Sequence, residues 1–151
     1  MNAAQCRIVW FFLGSLVVTA VLSGCGDGRP RRVPVSGRVT IDGRPLTKGA
    51  VRLIPENARP ATGELDSEGR YTLTTFEPGD GVVMGPCKVA VIASEMVSSN
   101  AQRWHAPKRY ADAEHSGLTA DVAEATDSLD FELTWGGGRP FVEQISAGGG
   151  E

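Results

Sequence analysis

The chain has 151 residues, 41% of them hydrophobic and 22% charged, with 15 Lys and Arg against 18 Asp and Glu and a formal net charge of −3. That balance, without a basic stripe, excludes the charge footprint of a nucleic-acid-binding domain, and the length suits one domain of ordinary size. Three cysteines at positions 6, 25 and 87 do not make a disulfide framework.

The chain opens on an apolar leader. Arg7 is its only charged side chain, and Ile8 to Leu22 carries none, a run of 15 residues. A mature membrane-spanning helix needs roughly 20, so the run reads as the h-region of a secretory signal, with small residues where a peptidase would cut. The tetrad Leu22-Ser23-Gly24-Cys25 resembles the bacterial lipobox. The resemblance implies cleavage between Gly24 and Cys25, lipidation of the Cys25 thiol, and a protein held to a membrane by its N-terminal lipid. Such an anchor exceeds the two-signal requirement for stable attachment, at about 0.8 kcal/mol per buried methylene. Residues 1–24 are then a lipoprotein signal peptide. Losing one basic and no acidic residue takes the formal charge from −3 to −4.

Residues 25–32 read as a tether, with Pro30 and three arginines (Arg29, Arg31, Arg32) and no apolar pattern. From Val33 the period becomes two: Val33, Val35, Gly37, Val39 and Ile41 alternate with polar residues, as in a half-buried strand. Asp42-Gly43 is a tight-turn signal, and Ala50 to Ile54 is the next strand, stopped by Pro55. Residues 55–63 read as loop, and Asp66-Ser67-Glu68-Gly69 as a turn before the alternating Tyr71, Leu73 and Thr75. Cys87, Val89, Val91 and Ala93 then share one face of a strong strand, which makes Cys87 a small buried hydrophobe. Residues 94–117 show little periodicity, and a loop this long is either functional or packed down by its own aromatics. Leu118 to Val122 and Leu129 to Leu133 alternate cleanly, and 136–151 is a Gly-rich stretch expected to be disordered. No segment after residue 25 sustains a helical period. Short strands separated by turn signals predict an all-β fold, an antiparallel seven-stranded β-sandwich over residues 33–135.

Gly37 to Leu46 followed by Gly49 to Pro55, and then Asp66 to Leu73, are similar to the hairpins of carboxypeptidase-regulatory-like, transthyretin-like domains. Thr75 to Gly81 leading to Lys88-Val89, and Pro107 to Asp112 leading to Ser116 to Ala120, resemble planctomycete lipoproteins. The likeness covers residues 33–134. It implies a prealbumin-like, Greek-key sandwich on the periplasmic side of the cell envelope, with no reaction attached. Cys87 departs from the Tyr or His that the family often places there.

The chemistry-bearing residues are few. His105, Asp112, Glu114 and His115 in the 94–117 loop have metal-binding side chains but lack compact ligand spacing, so no metal and no cofactor is expected. Ser116 beside His115 and Asp112 is not a triad, which requires convergence in space and an oxyanion hole; no catalytic residue is assigned. Trp104 and Tyr110 are possible contact residues for a sugar or peptide, or else anchors that pin the loop. The sequence thus predicts a non-enzymatic, lipid-anchored module, structural or binding an envelope protein or polysaccharide. The alternative is a small-ligand or metal-binding lipoprotein that uses the 94–117 loop.

Overall fold

Alternating apolar residues bury one face of each strand, and in this chain those faces meet in one cluster. The computed structural model describes residues 28–145. Gly24, Cys25 and the leader lie outside the described residues, as does the tail from 146 onward. In chain order the strands are β1 (Arg32–Val33), β2 (Ser36–Ile41), β3 (Arg44–Pro45), β4 (Ala50–Pro55), β5 (Ala61–Glu64), β6 (Arg70–Thr72) and β7 (Val82–Val83). There follow β8 (Gly85–Ile92), β9 (Ser94–Ser98), β10 (Ala101–Trp104), β11 (Leu118–Val122), β12 (Phe131–Leu133) and β13 (Phe141–Gln144). One 3-10 turn spans Lys108–Ala111, and the described residues contain no α-helix. None of their helical turns is long and apolar enough to cross a membrane.

The larger sheet runs in the order β11, β8, β4, β5, all antiparallel. Opposite lie β12, β2 and β3, with β6 paired to the start of β2. Val35 and Val39 from the second group, and Val51, Leu53, Val89 and Val91 from the first, have no more than 1% of their surface exposed. They belong to one core cluster with Tyr71, Leu73, Phe131 and Leu133. Removing each such side chain from water contributes about 1.5–3 kcal/mol. The arrangement is consistent with a β-sandwich. Cys87 lies in the same cluster, as its strand face predicts.

Several expectations need correction. The described residues form thirteen strands: Pro34, which cannot donate to a ladder, divides the first alternating run into β1 and β2, and short strands such as β3, β7, β9, β10 and β13 lie outside the runs that alternate. Nor is every pair antiparallel: β12 lies parallel to β2, with Phe131 opposite Val39 and Leu133 opposite Ile41. Hairpin partners must be antiparallel, but β12 reaches β2 from the other sheet through residues 123–130, so no tight turn dictates its direction. Residues 61–63, placed in a loop by the sequence, belong to β5 and pair with β4, and Gly63 also lets this strand pass close to the Thr72 carbonyl of β6. Residues 94–104 are not loop but the strands β9 and β10, whose register shift between Ala101 and Gln102 breaks the period of two. Phe141–Gln144, placed in the disordered tail, pairs along its length with β10.

The seam between β2 and the segment entering β12 depends on Gly37, where a Cβ would fall on the Leu129 carbonyl. The Leu129 N–H donates to the Ser36 carbonyl at 3.1 Å. Gly37→Ala is expected to cost about 1–3 kcal/mol in chemical denaturation through overpacking and to speed hydrogen exchange at the Leu129 amide. Wild-type stability with an unchanged Leu129 amide would show that the strands do not approach so closely.

Candidate functional site

The segment after β8 leaves the sandwich without a turn. After Ala93 the chain continues as β9, folds back as β10, and β10 receives β13 on its other side, giving a flanking sheet in the order β13, β10, β9. His105 N–H donates to the Ala93 carbonyl at 2.7 Å and Ile145 N–H to the Asn100 carbonyl at 2.7 Å, which close the two ends. Both outer strands of this sheet lack a further strand partner among the described residues. An edge of that kind presents unpaired backbone donors and acceptors. Five of the eight large hydrophobic residues exposed in the described chain, Met96 (58% exposed), Val97, Phe141, Val142 and Ile145, lie on or next to this sheet.

Trp104 ties the strands of this sheet together, and Tyr110 pins the 3-10 turn that follows it. Trp104 is buried, and its indole N–H donates to Glu143 Oε2 at 3.0 Å. Lys108 Nζ donates to both Glu143 oxygens, at 2.8 and 2.9 Å, and lies 5.5 Å from the Trp104 ring centroid. Those two donors, Lys108 first, hold the Glu143 carboxyl below its ordinary value. Tyr110 is buried in the core cluster. Its hydroxyl receives the Arg109 guanidinium at 2.7 Å and the Thr134 N–H at 3.2 Å, so it ties the 3-10 turn to the residue after β12. Neither ring offers an open face for a sugar or peptide.

The remaining candidates of the 94–117 segment are brought to separate partners. His105 Nε2 lies 3.0 Å from Glu95 Oε1, and Lys48 donates to the other Glu95 oxygen at 3.2 Å; these bonds, Lys48 first, lower the Glu95 carboxyl. His115 Nδ1 lies 2.6 Å from Asp112 Oδ2, and that bond is the main reason the Asp112 carboxyl is lowered. Glu114 takes Lys88 Nζ at 2.6 Å. The buried Ser116 hydroxyl donates to the Val89 carbonyl at 2.6 Å and is turned away from His115. Among the described residues no group of three or more His, Cys, Asp and Glu is placed to hold a metal ion.

Two clefts mark the surface of the described residues. A broad one of about 930 Å³ lies over Gly37 and Gly63 and is walled by Arg38, Glu64, Asp66 and Arg70. Two of its charges are engaged with each other: Asp66 accepts from the Glu68 and Arg70 N–H groups and from Arg70 Nε, the Arg70 backbone bond being the first cause of its lowered carboxyl. Tyr71, at its floor, donates to the Leu129 carbonyl at 2.5 Å, and burial pushes its hydroxyl pKa up. The second cleft, about 550 Å³, includes Cys87 among its lining residues. Burial raises the Cys87 thiol, the Asp121 carboxylate adds to this, and its S–H donates to the Gly85 carbonyl at 3.5 Å. A protonated, buried thiol is a poor nucleophile and a poor metal ligand.

Sequence reasoning singled out Trp104 and Tyr110 but missed the sheet to which Trp104 belongs. The Phe141-Val142 pair within the Gly-rich stretch was the available signal, since such a stretch has no apolar residues to spare unless it packs. Comparison of the chain with family models, with curated proteins and with solved structures yields no match.

Tyr110→Ala should lose about 3–5 kcal/mol of stability, the usual cost of emptying a buried aromatic site. Tyr110→Phe should lose about 1 kcal/mol with its hydrogen bonds, and retention of full stability by Tyr110→Ala in thermal unfolding would contradict the anchoring role. Glu143 supplies a pH dependence. Its folded pKa lies below the ordinary 4.5, so its stabilisation is present above that value and is lost as pH falls through the depressed one. Hydrogen exchange at residues 141–144 should therefore rise on acidification before the core amides lose protection, and Glu143→Gln should remove that early step.

Proposed function

We propose that this chain is a lipid-anchored, non-enzymatic module of a bacterial cell envelope, attached through Cys25 on the periplasmic side of a membrane and binding an envelope protein or polysaccharide. In this reading the domain is transthyretin-like. The core strands β2, β4, β5, β6, β8, β11 and β12 are its seven sandwich strands, and the flanking sheet is an addition to them. The hairpin signatures at Gly37 to Pro55 and Asp66 to Leu73 support the assignment. Membership among planctomycete-type lipoproteins rests on the segments around Thr75 to Gly81 and Pro107 to Ala120.

The observation that carries the binding role is the flanking sheet, two open edges beside exposed Met96, Val97, Phe141 and Val142. A partner strand can add to such an edge through backbone hydrogen bonds while side-chain pockets set specificity. The histidines already bonded to carboxylates, the Ser116 hydroxyl given to the Val89 carbonyl and the raised Cys87 thiol favour binding over catalysis.

Two measurements test the reading. Metabolic labelling with a fatty acid should mark the wild-type chain and not Cys25→Ala, and an unlabelled wild-type chain would defeat the anchor. A photo-crosslinker at Met96 or Val142 in cells should capture the same partner from both positions, and none from Arg44 in β3. Capture from Arg44 as efficient as from Met96 would remove the flanking sheet as the binding surface.

A further inference from the structure

The flanking sheet turns its backbone groups to defined sides. A strand residue sends its N–H and C=O to the same edge, and successive residues alternate. Ile145 N–H donates to the Asn100 carbonyl, and β10 pairs with β13 with Gln102 opposite Glu143 and Trp104 opposite Phe141. Phe141, Glu143 and Ile145 therefore face β10. Val142 and Gln144 turn their N–H and C=O outward, where no further strand lies among the described residues. Other edges carry features that discourage a further strand. β3 has two residues and one of them is Pro45. The outer side of β5 is taken by the bridge between Thr62 and Thr74. β9 has its register broken where it passes Ala101, and its Glu95 is bonded to Lys48. β11 carries the exposed Asp121. β13 is regular along its length, its one charged side chain, Glu143, is bound by Trp104 and Lys108, and Phe141 and Val142 stand 40% and 47% exposed.

Chemistry selects the occupant. Outward N–H and C=O groups at every second residue match the backbone of an extended polypeptide, and a glycan chain offers no such ladder. A second copy fits poorly. With Val142 opposite Gln144 across a two-fold axis, Glu143 falls opposite Glu143, and like charges so placed are destabilising. With Val142 opposite Val142, Gln144 falls opposite Pro140, which has no N–H to give. Charge narrows the choice further. Arg103 lies opposite Val142 in the register and 3.6 Å from Glu95. Arg139, on the segment entering β13, is exposed and has no ion pair among the described residues. On the three strands, on the side chains bonded to them and on that segment, Lys48, Arg103, Lys108 and Arg139 stand against Glu95 and Glu143. Four cations against two carboxylates suit a strand with acidic ends.

We propose that the free edge of β13 is a strand-addition site for an extended segment of another protein, apolar along its middle and acidic at its ends. The segment pairs with the outward groups of Val142 and Gln144 and lays its side chains beside Phe141 and Val142, with its ends toward Arg139 and the other cations. This rests on the flanking sheet being the binding surface, and adds which edge is used and what kind of chain occupies it.

The test uses the full chain and a short synthetic peptide that alternates Val and Thr between terminal Asp residues and is capped at both ends. At about ten times its dissociation constant the peptide should slow hydrogen exchange at the Val142 and Gln144 amides about ten-fold, with the core amides unchanged. Replacing its terminal Asp residues by Lys should weaken binding about ten-fold, and Arg139→Glu should shrink that preference. Gln144→Pro should weaken binding about five-fold or more, since one donor is lost, while the Glu143 amide keeps its protection because it faces β10. No binding of the Asp-ended peptide, free exchange at Val142 and Gln144 in its presence, or equal binding of the Lys-ended peptide would overturn the proposal. Slowed exchange caused instead by a hexamer of N-acetylglucosamine would also overturn it, yet leave the flanking sheet as a binding surface. In cells, capture from the Val142 photo-crosslinker should fall in Gln144→Pro. Unchanged capture sinks strand addition alone, whereas capture from Arg44 as efficient as from Val142 sinks the flanking-sheet reading itself.

Discussion

The structure depends on the seam where the first core strand meets the last. β2 and β12 run parallel, and no hairpin brings them together. Their alignment comes from a few groups: the Leu129 N–H on the Ser36 carbonyl, the Tyr71 hydroxyl on the Leu129 carbonyl, the Arg38 N–H on Asp130 Oδ1 at 2.7 Å, and the missing side chain of Gly37. Tyr71 also packs near Phe131, their ring centroids 6.3 Å apart. The seam closes the strand group that covers the β4 and β8 face. If it slipped by one residue, Val39 and Phe131 would turn outward, because the side-chain period of a strand is two.

With the core closed in this way, the polar chemistry is pushed to the rim and paired off there. The two histidines, the loop carboxylates and the Asp66 and Arg70 pair at the cleft each have a near partner, and these exposed pairs add little stability. What they do is shape the surface. Glu143 joins β13 to β10 through Trp104 and Lys108, and Glu95 does the same for β9 through His105 and Lys48. The flanking sheet is thus clamped by carboxylates on both of its outer strands while the apolar side chains of those strands stay exposed. A rigid apolar edge costs less entropy to bind than a mobile loop does.

The strands with an unbroken period of two were legible. Val33 to Ile41, Ala50 to Ile54, Cys87 to Ala93 and the two late strands fall where alternation puts them, and Cys87 is buried with its strand face. Alternation reports burial of one face, so it finds strands that line the core. β9, β10 and β13 pack only in part on the core, with a register shift between Ala101 and Gln102, and they show no such period. β13 was hidden further by its glycine-rich setting, since composition reports the unfolded tendency of a segment and not the partner that overcomes it. Trp104 and Tyr110 were picked out as residues, but their roles turn on Glu143 and Thr134, which lie far from them in the chain.

By itself the sequence determined what is local: an apolar leader ending in Leu-Ser-Gly-Cys, a charge balance without a nucleic-acid footprint, an all-β body, its principal turns, and the inward face of the strongest strands. Each of these follows from residues a few positions apart. Tertiary structure alone decided the parallel seam, the flanking sheet with its open edges, the dispersal of the loop histidines to separate carboxylates, and the gathering of Arg29, Arg32 and Arg59 over Phe76. These join residues distant in the chain. Their pairing is set by which surfaces remain uncovered after the core has closed, and no local period carries that information.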